Sequence, residues 1–150
     1  MKKITSITMA LALTMLLSTV AFAMDGMDHG KMKGGDMSMH DSMMVMDKNL
    51  QMMKQDVENM KNADQRQAAM KSMNKHMTDM HHGMAGVEAH AKKNHDKAME
   101  GSMKKMNKHM MTTMKGMGLA KKNVDEGIPM MMDGLNNMEK VLESMKGSMK

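Results

Sequence analysis

The sequence has no cysteine, no tryptophan and no tyrosine, and only one phenylalanine and one proline in 150 residues. Without cysteine there is no disulfide framework, no cysteine zinc site and no thiol nucleophile. Without aromatic side chains there is no platform on which nucleic-acid bases could stack. Arg66 is the sole arginine, so the forked guanidinium contacts that read phosphates and base edges are nearly missing. The formal charge of +5 therefore reads as lysines on a solvated helix surface. Enzyme signatures are missing too. There is no nucleophile elbow, no Gly-rich phosphate loop and no His-Glu-x-x-His, and a non-enzymatic role is expected.

Methionine is what the chain has in excess, at 32 residues. Lys2 and Lys3 precede an apolar stretch from Ile4 to Val20, and Ala21-Phe22-Ala23 puts small residues at both cleavage-determining positions. This reads as a secretory signal peptide, residues 1–23, cut after Ala23, and it predicts a periplasmic protein with no stable membrane insertion. Beyond residue 23 the large apolar side chains other than Met are four Leu, five Val and Ile128. Such a composition alone would read as disordered. A folded core has to be made of Met, which packs adaptably but specifies one arrangement poorly.

Residues 24–46 are rich in Gly, Asp, Ser, Met and His without helical or strand period, and read as a disordered tail. Residues 47–150 read as a helical Met-rich domain. Asp47 is an expected N-cap. Leu50, Met53, Val57 and Met60, then Met70, Met73, Met77, Met80 and Met84, recur at spacings of three and four, the stripe of an amphipathic helix. Gly83 and Gly86 predict a break. A second helix is expected from about Val87 to Met117, ending near Gly116 and Gly118, with Asp125-Glu126-Gly127 as connector. Pro129 suits the first turn of a third. The fold class is all-α: a loose three-helix bundle or a set of helical hairpins.

An internal repeat runs through this region. Met70-Lys71-Ser72-Met73-Asn74-Lys75-His76-Met77 matches Met103-Lys104-Lys105-Met106-Asn107-Lys108-His109-Met110, and Gly83-Met84 matches Gly116-Met117. The matched segments are 70–84 and 103–117. A shorter Lys-Asn-x-Asp element starts at Lys61, Lys93 and Lys122.

The thioether is neutral, soft and polarizable, and it suits Cu(I) and Ag(I). An exported protein holding Cu(I) has reason to avoid thiols, which oxidise outside the cytoplasm. Imidazole is a second ligand that accepts copper. Met37 and His40, His40 and Met43, Met73 and His76, His81 and Met84, and Met106 and His109 each stand three apart, a spacing that shares a helix face. Met73, Met77 and Met80 lie close to His76, and Met103, Met106 and Met110 lie close to His109. A chain reversal near 83–86 would gather His76, His81, His82, His90 and His95 at one turn. The candidate metal ligands are thus Met37, His40, Met43, Met73, His76, Met77, Met80, His81, Met84, His90, His95, Met103, Met106, His109 and Met110. Core packing is the competing role for each stripe Met.

These residues resemble the small Met/His-rich periplasmic proteins of copper and silver resistance. The resemblance rests on the signal peptide, the lack of cysteine and the Met-x-x-His and His-x-x-Met pairs. It implies sequestration of Cu(I) or Ag(I), or its relay to a periplasmic copper efflux system. The chain is similar as well to methionine-rich periplasmic peptides that scavenge hypochlorite and related oxidants. That resemblance implies a sacrificial thioether pool recycled by a periplasmic methionine sulfoxide reductase.

Overall fold

The computed structural model describes residues 37–149. The expected signal peptide 1–23, and residues 24–36 of the expected tail, lie outside the described residues. Among the described residues every regular element is helical. α1 spans Met39–Met60, α2 Arg66–Lys93, α3 Lys97–Ala120 and α4 Val124–Ser148. The described residues are all-α and form helical hairpins, as the periodicity predicts, with four helices rather than three. α1 packs on α2 and α3 on α4 as tight hairpins, and α1–α4 and α2–α3 contacts join the hairpins into one ring. Short connections between antiparallel neighbours make this an up-down-up-down four-helix bundle.

The core follows a heptad. On α1 the buried residues Met43, Leu50 and Val57 form one seven-residue series and Met46, Met53 and Met60 another. On α2 the series are Met73, Met80, Val87 and Met77, Met84, Ala91. Met103, Met110, Met117 on α3 and Met131, Met138, Met145 on α4 do the same. A strict seven-residue repeat keeps one face toward the neighbours as left-handed supercoiled helices wind. Among the described residues, sixteen of the twenty-four buried apolar side chains are thioethers, and all twenty-four belong to one contiguous cluster.

The helix ends differ from the expected ones, each for a physical reason. α1 starts at Met39, eight residues before Asp47, because the Ser38 hydroxyl accepts from the Asp41 N–H at 3.0 Å and caps it. The expected tail boundary at 46 therefore moves back to the start of α1. The first helix also ends earlier, at Met60, where Arg66 Nε donates to the Met60 carbonyl at 3.0 Å. Gly83 and Gly86 break nothing, since both are buried inside α2. A Cβ on Gly83 would stand 2.8 Å from Met46 Cγ and 2.9 Å from the Ser42 carbonyl. The glycine serves close α1–α2 approach, not a turn. Gly116, whose Cβ would meet Met131 N at 2.7 Å, does the same between α3 and α4. Pro129 lies inside α4 rather than in its first turn, since the expected connector 125–127 is already helical.

The reversal between α2 and α3 falls at 94–96. His95 adopts φ 54°, its N–H donates to the Lys92 carbonyl at 3.2 Å, and the Asp96 N–H donates to the Ala91 carbonyl at 2.9 Å. This is a Schellman ending with His95 in the left-handed position that glycine usually takes. Asp96 then caps α3 through the Met99 N–H at 2.9 Å. No helix among the described residues is long and apolar enough to cross a membrane.

Candidate metal centre

The bundle sorts the predicted ligands into three environments. Met43, Met73, Met77, Met80, Met84, Met103, Met106 and Met110 all face the core and are buried. Their heptad placement makes core packing their shared role in this structure. His40, His81 and His95 are exposed, while His76, His90, His109 and Met37 are half-buried. The Met-x-x-His pairs thus straddle the boundary between core and surface. A step of three residues rotates about 60° around a helix, enough to leave one partner inside and the other at the flank.

The expected gathering of His76, His81, His82, His90 and His95 does not form. All but His95 lie along α2 itself, and His76 and His95 are nineteen residues apart, roughly 28 Å of helix. Gly83, where the turn is expected, lies inside continuous α2 and packs against Met46 and Ser42 of α1. Among the described residues no three His, Asp or Glu side chains converge as a metal cluster.

Two histidines have specific partners. His76 Nδ1 lies 2.7 Å from Asp56 Oδ2 on α1. With the carboxylate accepting, Nδ1 carries the proton and, in the neutral ring, Nε2 holds the free lone pair. This carboxylate–imidazole pairing is the support that metal-binding histidines use. His90 Nε2 lies 2.9 Å from the Met37 carbonyl, so the ring donates there and ties the start of the described chain to the far end of α2. Met37 and His90 are thereby brought together, through backbone rather than sulfur.

Asp56 was not among the sequence candidates. Its signal is a heptad of polar residues, Ser42, Asn49 and Asp56, buried on α1. Opposite it runs the series Ala69, His76, Gly83, His90 on α2. The Ser42 hydroxyl in that row is buried without a hydrogen-bond partner among the described residues.

The repeat is kept in three dimensions. Met73 and Met106, Met77 and Met110, Gly83 and Gly116, and Met84 and Met117 are buried in equivalent places on α2 and α3. His76 and His109 are both half-buried, and His109 sits on the α4 side, where its carbonyl would meet a Cβ on Gly134 at 2.9 Å. Comparison with family models, curated proteins and solved structures gives no match.

Proposed function

We propose that this is a periplasmic soft-metal binding protein that sequesters or relays Cu(I) or Ag(I) as cargo, in metal tolerance. The observation that carries the reading is the core itself: one contiguous cluster in which thioethers outnumber all other apolar side chains two to one. Leu, Ile and Val would pack a bundle better and specify it more sharply. The choice of sulfur at these positions adds donor softness that packing does not require. Flexible Met side chains also let a core open around an ion without rebuilding the backbone.

The alternative is a sacrificial scavenger of hypochlorite and related oxidants, recycled by a methionine sulfoxide reductase. Met52, Met111, Met114, Met130 and Met149 are exposed and favour it at the surface. Burial of sixteen thioethers weighs against it, since oxidants reach exposed sulfur first.

The test is an anaerobic Cu(I) titration of the purified chain against a chromophoric competitor, with mass spectrometry of metal content. It is repeated on a variant carrying Met46→Leu, Met53→Leu, Met80→Leu and Met138→Leu. Leu conserves volume and apolarity, so the bundle is retained while donors are lost. Fewer bound ions in that variant support the reading. Absence of Cu(I) and Ag(I) binding by the unaltered chain ends it. Replacing His40, His76, His81 and His109 by Ala separates the two readings: weaker Cu(I) binding with unchanged oxidant consumption favours metal.

A further inference from the structure

Two of the five exposed thioethers among the described residues stand three apart on one helix. Met111 and Met114 on α3 are 59% and 53% exposed, and the heptad does not need them. Met114 stands one turn from Met110 and from Met117, both nearly buried. Sulfur therefore runs without interruption from the surface of α3 into the bundle.

The flank they occupy can be located. α2 and α3 are antiparallel neighbours, and Asn107 Nδ2 donates to Glu88 Oε1 across their seam at 3.2 Å. At the other end of the same seam, Met70 of α2 and Ala120 of α3 line one groove. Seven residues along a supercoiled helix return to the same face. Seven back from Glu88 is His81, and seven on from Asn107 is Met114. The two thus stand in register across the seam, bracketed by contacts at both ends. Met84 lies beside His81 on α2, and Met110 beside Met114 on α3, each on the buried side.

This seam has room. The close helix approaches are made elsewhere, by Gly83 against α1 and by Gly116 and Gly134 across the α3–α4 seam. A Cβ placed on Gly118, one turn beyond Met114, would meet nothing within 4 Å. His81 is exposed and free to turn its ring.

We propose that His81, Met111 and Met114 form an inter-helix acceptor site for a soft monovalent ion, Cu(I) or Ag(I), at the mouth of the thioether core. This deepens the function proposed above and rests on it. One imidazole and two thioethers are a donor set of suitable softness. Met84 and Met110 continue the site inward, so an ion leaving the surface meets sulfur at the next step. The pairing joins the two halves of the internal repeat, which neither half could achieve alone.

The probe is Ag(I), which needs no reductant. The full chain, with its Met methyls labelled with carbon-13, is titrated with sub-stoichiometric Ag(I) and followed by NMR. The expected result is concerted shifts of the Met111 and Met114 methyls and of the His81 ring. His81→Ala should abolish the Met114 shift, and Met111→Leu with Met114→Leu should abolish the His81 shift. Each variant should lose about one equivalent of bound Ag(I), and combining them should lose no more. Circular dichroism melts confirm that these surface variants fold. Shifts of Met111 and Met114 that persist in His81→Ala overturn the inter-helix site, while Ag(I) bound elsewhere leaves the wider function standing. An unaltered chain that binds no Ag(I) overturns both.

Discussion

His76 of α2 and Asp56 of α1 meet at 2.7 Å through Nδ1 and Oδ2, with side chains only 11% and 7% exposed. They are polar groups at positions the heptad gives to the tight α1–α2 face. A buried carboxylate stripped of its donor bears its full desolvation cost, while removing both partners relieves it. His76→Leu, which leaves the Asp56 carboxylate without its donor, should lower stability by about 2 kcal/mol, and His76→Leu with Asp56→Leu should cost less than the two single changes together. Urea unfolding of the four proteins checks this. Additive losses would mean the pair is not coupled.

The glycines divide into those that touch and those that do not. A Cβ at Gly83 meets Met46 Cγ at 2.8 Å and the Ser42 backbone at 2.9 Å, whereas at Gly101 it meets nothing within 4 Å. Both lie inside helices, where Ala exceeds Gly by roughly 0.8–1 kcal/mol in propensity. Gly101→Ala should gain close to that amount. Gly83→Ala should lose about 1–3 kcal/mol, since overpacking against backbone outweighs propensity. Thermal melts of the two variants should move in opposite directions.

That division explains what the sequence could and could not disclose. The stripe from Leu50 through Met84, and that from Met99 through Met117, announce amphipathic helices because burial alone enforces their period. Helix ends are weaker signals here. Gly83 and Gly116 look like terminators, yet the structure uses them as contact surfaces, and a lone glycine does not say which. The better marker was present. Lys-Asn-x-Asp begins at Lys61, Lys93 and Lys122, and each copy falls at a junction between helices. The candidate site was legible in composition but not in geometry: donor softness follows from residue type, whereas the Asp56–His76 partnership and the proposed pairing of His81 with Met114 depend on how helices pair.

His95 makes the turn between α2 and α3. Its φ of 54° costs a residue bearing a Cβ roughly 1–2 kcal/mol, which glycine avoids. His95→Gly should therefore stabilise the protein by about 1 kcal/mol, measured by urea unfolding, and leave the Cu(I) stoichiometry unchanged. A lost ion in that variant would restore His95 as a ligand.

Lys54 and Glu139 join α1 to α4 at 2.6 Å, with Gln51 donating to the same carboxylate at 3.2 Å. The Lys54 hydrogen bond, followed by that from Gln51, holds the Glu139 carboxyl below its ordinary range. A carboxyl depressed by folding adds stability above its unfolded pKa, and this increment disappears as pH falls through the folded value. The pair is a third exposed on the Glu139 side, so screening limits it to about 0.5 kcal/mol. Glu139→Gln should lower stability slightly at neutral pH and match the parent protein once the solution is acid enough to protonate Glu139. Urea midpoints across that range test it, and a difference independent of pH would assign the effect to packing.

Oxidation should read the bundle as a map of exposure. Hypochlorite adds one oxygen to each sulfur it reaches, turning an apolar side chain polar. Met52, Met111, Met114, Met130 and Met149 stand in water, and their conversion leaves the buried core untouched. Mild treatment should therefore modify these five first, with little loss of helicity by circular dichroism. Met46, Met53, Met73, Met106, Met131 and Met138 are fully buried, and a sulfoxide at any of them would put an unpaired polar oxygen among apolar neighbours. They should react only through opening of the bundle, so urea below the unfolding midpoint should accelerate them and spare the exposed set. Peptide mapping by mass spectrometry gives the order directly. Equal rates at Met114 and Met138 in the folded protein would mean that the thioether core is open to solvent, and the bundle would then be an open reservoir of sulfur rather than a closed one.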